Sequence, residues 1–245
     1  MSEYQYIEFR AIDGPVSEKN LAYMERQSSR AEITPWSFVN EYHYGDFRGN
    51  AIEMLRRGYD VHLRYANFGI RSLYFRLPQG LPDSKAVKPY LEDDLIRFVK
   101  DRDGSGGTLV IEPCHEPGDL EELWDLDKVL DRLVPLRAEI LDGDLRPLYL
   151  ARLAVSCDMN HDPEEETEAP VPAGLDQLTK AQRALAEFYE ISDALISAAA
   201  RQAAPLARND DQHTGFAEWV SRQSEDVKNK WLTALVERSD MKLRT

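Results

Sequence analysis

The window Phe38-Val39-Asn40-Glu41-Tyr42-His43-Tyr44-Gly45-Asp46-Phe47-Arg48-Gly49 holds the densest set of groups able to do chemistry. His43 could serve as a general acid or base, Asp46 could orient its ring, and Arg48 could hold an anion. The expected setting is a strand running into a loop, where a rigid sheet presents binding groups. The same residues also describe an ordinary strand whose aromatics fill a core while loop polar groups bond to backbone. His43, Asp46 and Arg48 are therefore candidate ligand-binding residues, and no catalytic residue is assigned. No serine or cysteine stands in a nucleophile-elbow context, and no H-E-x-x-H, kinase or dinucleotide signature occurs.

Other constellations are weaker. Cys114, His115, Cys157 and His161 match the ligand count of a zinc site, but adjacent Cys114-His115 is a poor spacing for one ion. Asp158, Asp162 and Glu164–Glu166 lack the glycine-containing twelve-residue loop of a calcium site, so no metal or cofactor is expected. Gly104-Ser105-Gly106-Gly107-Thr108 lacks the Lys-Ser/Thr pair and following helix of a phosphate loop, and reads as a hairpin turn. Arg56, Arg57, Arg64, Arg71 and Arg76 lie near Tyr59, Tyr65, Phe68, Tyr74 and Phe75, a mixture some sheets use to bind single-stranded nucleic acid. Acids nearby balance these arginines, and an ordinary antiparallel sheet with one solvated face is the preferred reading.

Charge is distributed unevenly over the 245 residues. The chain has 44 acidic against 30 basic side chains, net −14. Residues 1–77, 78–111 and 177–245 are each close to neutral, whereas residues 112–176 carry 18 acidic and 5 basic side chains. This argues against general nucleic-acid binding, except through a partner; an acidic segment can dock onto a protein with a basic surface, and solubility alone explains it as well. Asp158, Asp162, Glu164, Glu165, Glu166 and Glu168 are the candidate partner-binding residues. Two cysteines suit a reducing compartment, and neither a signal-like nor a membrane-spanning run is present, so a soluble cytoplasmic protein is expected.

The elements that must position these groups fall into an α+β pattern. Tyr4–Ile12 reads as a half-buried strand with a phase slip between Tyr6 and Phe9, and Ser17 caps a helix to about Ser28. Ile33 and Trp36–Tyr44 read as extended, and Asn50 caps a helix carrying Ile52, Met54 and Leu55. Val61–Phe68 and Arg71–Leu77 form one hairpin; Leu95–Asp101 and Thr108–Pro113 form another. Five or six antiparallel strands with two or three helices are expected over 1–115. Helical spacing then governs 116–155, including Leu120, Leu123, Trp124, Leu126, Leu130 and Leu133. An acidic, proline-rich linker is expected at 156–174. A small all-α domain is expected at 175–245, with helices at Leu175–Tyr189, Ser192–Ala204, 214–222 and 224–238.

The residues Ser2-Glu3-Tyr4-Gln5-Tyr6, Phe9, Ala11-Ile12-Asp13, Ser28-Ser29-Arg30-Ala31, Ile33-Thr34-Pro35, Ser37–Tyr42 and Gly45-Asp46-Phe47 resemble a family of uncharacterised bacterial cytoplasmic proteins. Gly143-Asp144-Leu145-Arg146 and Pro170–Leu175 extend that resemblance over most of the chain. It implies the same layout and carries no catalytic residue. The sequence thus points first to a non-enzymatic interaction or regulatory component of a multi-protein system. The alternatives are a small-ligand or nucleotide enzyme built on the 43–48 loop, and single-strand binding on the sheet.

Overall fold

The computed structural model describes residues 3–113, 115, 121–156, 169–206, 224–225 and 228–229. Its first strand, β1 (Gln5–Arg10), is buried on both sides, with Tyr6 and Glu8 facing one way and Ile7 and Phe9 the other. No phase slip interrupts it. The aromatics alternate between two cores, so a one-sided strand pattern is not the right template for this sequence.

Around β1 the chain adds β2 (Glu32–Ile33), β3 (Ser37–Tyr42), β4 (Val61–Ala66), β5 (Ile70–Leu77), β6 (Ile96–Lys100) and β7 (Gly107–Ile111). Their order is β2-β3-β1-β4-β5-β7-β6, and every neighbouring pair is antiparallel. Glycine is required in the last hairpin: Gly104 has φ +86°, and a Cβ on Gly107 would lie 2.3 Å from the Phe98 ring. The Gly104–Gly107 run is a tight turn against an aromatic ring.

Helices cover both faces. On one, α1 (Glu18–Glu25) and α2 (Ala51–Arg56) bring Met24, Met54 and Leu55 onto Ile7, Phe9, Phe38, Tyr74 and Val110. Asn50 caps α2 as expected, its Oδ1 accepting from the Glu53 N–H at 2.9 Å. A short α3 (Ser84–Val87) runs into a 3-10 turn, Lys88–Tyr90. The other face carries α4 (Leu126–Leu133), α5 (Pro135–Leu141), α6 (Arg146–Ser156), α7 (Lys180–Phe188) and α8 (Asp193–Ala200). Leu130, Leu136, Leu148, Leu185 and Ile196 join Leu63, Leu73 and Phe75 in a single core there. The expected solvated sheet face is therefore absent from the described residues.

Residues 1–205 form one compact unit and residues 206–245 another. Helices α7 and α8, which sequence spacing assigns to a separate 175–245 domain, thus belong with the sheet. Helices of 9 and 8 residues are too short to bury a core of their own and acquire one by joining this layer. The helices expected at 214–222 and 224–238 lie outside the described residues, apart from 224–225 and 228–229.

Buried arginines connect the layers. Arg137 on α5, 4% exposed, donates from Nη1 and Nη2 to Asp13 at 2.9 and 2.6 Å, from Nε to the Arg76 carbonyl, and pairs with Asp60 at 3.2 Å. Arg146 on α6 holds Asp144 and donates to the Gly174 and Gln177 carbonyls, near the capping box of Thr179 and Gln182 at the start of α7.

His62 is buried against the core that α1 and α2 cover. Its ring stacks on Phe9 at 3.8 Å, meets Tyr74 edge-on, and its Nδ1–H donates to the Glu8 carbonyl at 2.9 Å. Burial pushes its pKa down to about 3. The folded value lies below the ordinary value of about 6.5, so His62 contributes full stability above that pH and loses it as pH falls toward the folded pKa. The slope is about 1.4 kcal/mol per pH unit. Asp13, held below its ordinary value by the Arg137 hydrogen bonds, acts in the same direction at lower pH. Glu8, raised by burial above its ordinary value of 4.5, acts oppositely above that value, within the range of His62. The substitution His62→Phe should flatten the fall in urea midpoint between pH 7 and 4.5; an unchanged slope would remove His62 as its source.

Candidate functional site

Because side chains alternate along β3, the residues just beyond it part company. Tyr42 pairs with Gln5, so His43 lies on the same side as Tyr4, with ring centroids 5.5 Å apart. Gly45, at φ +90°, turns the chain over the strand end. Asp46 then reaches the opposite face and accepts from Arg64 Nη2 at 3.0 Å. Arg48 is exposed in the following loop. His43, Asp46 and Arg48 are near in sequence, but His43 and Asp46 serve opposite faces of the sheet.

His43 instead borders a cleft of about 710 Å³ at the edge of the larger core. Its floor is formed by Tyr4, Tyr6 and Tyr65; the rings of Tyr4 and Tyr65 lie 6.4 Å apart at 59°. Glu41 flanks this floor, and burial together with Glu41 pushes the Tyr4 phenol up to about 12. Tyr6 is raised further, first by burial and then by Glu8, whose carboxylate accepts its hydroxyl proton at 2.9 Å. The Tyr4 and Tyr6 rings therefore face the cleft as neutral phenols at physiological pH.

The opposite wall is the segment 121–127, contributing Glu122, Leu123, Trp124, Asp125 and Asp127. Its first residues precede α4 and are fixed by specific bonds to the sheet and to Glu190 beyond α7. The Leu123 N–H donates to Tyr65 Oη at 3.1 Å, and the Glu121 N–H donates to Glu190 Oε1 at 2.7 Å. Arg71 on β5, 1% exposed, completes the tie. Its guanidinium pairs with Glu190 at 2.7 Å and donates to the carbonyls of Glu121 and Phe188. Glu190 holds this position at φ +53°, a left-handed conformation normally given to glycine after a helix. The carboxylate, which glycine lacks, is the group that bonds both Arg71 and the 121 backbone.

Sequence periodicity places Trp124 on an amphipathic helix beginning near 120. The structure corrects this: α4 begins at Leu126, and Trp124 stands before it with 79% of its surface exposed. The signal is present in the sequence, since Leu126, Leu130 and Leu133 make the buried stripe without Trp124. Among the cleft-lining residues are four acids, Glu41, Glu122, Asp125 and Asp127, and no lysine or arginine. Lys128 reaches Asp125 at 3.4 Å from outside.

The arginine and aromatic residues singled out from sequence serve the fold. Arg56 and Arg76 bind Asp101, Arg57 binds Glu53, Arg64 binds Asp46 and Arg71 binds Glu190. Tyr59, Tyr65, Tyr74 and Phe75 are buried. Cys114, Cys157 and His161 lie outside the described residues, as do Asp158, Asp162, Glu164, Glu165, Glu166 and Glu168. Among the described residues no three His, Cys, Asp or Glu side chains form a metal-binding group, and no helix is long and apolar enough to cross a membrane. Comparison with protein-family models, with curated proteins and with solved structures finds no match.

This geometry separates structural from lining residues. Glu190→Gln should lower unfolding free energy by about 1–3 kcal/mol, because Arg71 loses its charged acceptor. Trp124→Ala and Glu41→Gln, both at exposed positions, should change it by less than ~0.5 kcal/mol. Urea titrations of the three variants check this ordering.

Proposed function

We propose that the protein is a non-enzymatic binding component that docks a protein partner bearing a basic surface. The observation that carries this reading is the coincidence of charge and shape. The sequence concentrates its acidic excess in residues 112–176, and three residues of that segment, Glu122, Asp125 and Asp127, line an open cleft with a fourth acid, Glu41. Opposite charge steers encounter and disfavours acidic competitors. The acids of 158–168 belong to the same acidic stretch of sequence.

A small-ligand enzyme built on the 43–48 loop has less support, because His43 and Asp46 face opposite sides of the sheet. Single-strand binding on the sheet lacks an available platform, since the relevant rings are buried and the arginines are paired.

The test is affinity purification of the tagged protein from the cells that express it, at low and high salt. The comparison is a variant with Asp158, Asp162, Glu164, Glu165, Glu166 and Glu168 changed to their amides. A stoichiometric basic partner is expected, released by salt and lost from the variant. A partner bound equally by both proteins at high salt would exclude acidic docking.

A further inference from the structure

The cleft adds something a diffuse acidic surface does not have, namely aromatic walls. Tyr4 and Trp124 present ring surface to a space whose base is closed by the buried Tyr65 and which also holds four acidic side chains and no lysine or arginine. Ring faces carry negative quadrupole charge and attract a cation, most strongly when the cation is partly withdrawn from water. Carboxylates set around the rim supply the long-range attraction, and the rings supply a contact that a neutral chain cannot use equally well. The volume of about 710 Å³ lies in the range of ligand clefts and exceeds what one side chain fills, leaving room for the backbone that carries it.

Resting on the docking reading above, we propose that this cleft is an anchor site for the ammonium group of a lysine side chain presented by the basic partner. The acids decide for lysine over arginine. They come from separate places, Glu41 on β3 and Glu122, Asp125 and Asp127 around the start of α4, and an ammonium with three rotatable donors is served by dispersed carboxylates, whereas a planar guanidinium gains most from one bidentate partner. The apolar stem of lysine would lie along Leu123 while its head meets Tyr4 and Trp124. The backbone of the site is prepared in advance: Tyr65 accepts from the Leu123 N–H, and the opposite wall is held by Glu190 and Arg71, so binding orders chiefly the exposed Trp124 and carboxylate side chains.

The experiment titrates the full-length protein, followed by amide chemical shifts, with the blocked tripeptide Gly-Lys-Gly, with its neutral isostere Gly-norleucine-Gly and with Gly-Arg-Gly. The lysine peptide should perturb Tyr4, Tyr65 and 122–127 and bind at least about fivefold more tightly than either of the others. Trp124→Ala should weaken it about tenfold, Trp124→Phe should restore most of the loss, and Glu41→Gln should weaken it less. Equal binding of the norleucine peptide, stronger binding of the arginine peptide, or no effect of Trp124→Ala would each overturn the assignment. Failure here, with the salt-sensitive partner still lost from the 158–168 variant, would remove the lysine anchor and leave acidic docking standing. Loss of that salt-sensitive partner interaction as a phenomenon would remove docking itself.

Discussion

A buried guanidinium decides how the sheet and the helical layer of the compact unit meet. Arg71 projects from β5 into the helical layer, where three acceptors receive it: the Glu190 carboxylate and the carbonyls of Glu121 and Phe188. An arginine withdrawn from water in this way is tolerable only if its donors are met, because an uncompensated buried charge costs several kcal/mol. Each acceptor therefore constrains a distant part of the chain. The Phe188 carbonyl fixes the end of α7. Glu190 is drawn into a left-handed backbone conformation to place its carboxylate. The Glu121 carbonyl brings the segment before α4 across the end of the sheet. The cleft depends on that last constraint together with the Leu123 N–H on Tyr65 Oη and the Glu121 N–H on Glu190, which hold its wall.

Much of the scaffold can be read from the residues in order. Asn50, Ser192 and the Asn67–Gly69 turn mark their boundaries because caps and turns are local chemistry, settled by a side chain and the next few backbone groups. Two-sided burial is another matter. Tyr4, Tyr6, Ile7 and Phe9 resemble an alternating strand with an error, since one strand does not reveal that helices will arrive on both of its faces. The same limit explains the misplaced boundary of the helical part. Leu185, Phe188 and Ile196 are plainly core residues, but their partners Leu63, Leu73 and Phe75 lie more than a hundred positions away.

The candidate site divides the same way. His43 stands out in the sequence as an unusual group in an aromatic strand, and it does border the cleft. Its sequence neighbours Asp46 and Arg48 mislead, because adjacency along an extended chain that turns at Gly45 carries side chains to different places. Tyr4 and Tyr65 come together through the β1–β4 ladder and Trp124 through Arg71, and neither relation has a local signature.

On the proposed reading, range separates the roles of the two acidic groups. At physiological ionic strength exposed charges are screened beyond about 8 Å, so acids that do not touch the partner act mainly during approach. They raise the encounter rate and lose that effect as salt rises. Acids set against aromatic rings act at contact, where exclusion of water weakens screening and strengthens the attraction to the rings. A partner would then be gathered by the segment around 158–168 for its overall charge and retained by the cleft for one side chain of the right shape. Salt should act chiefly on the first step and the Trp124 ring on the second, which is how a weakly discriminating acidic surface can belong to a selective binding protein.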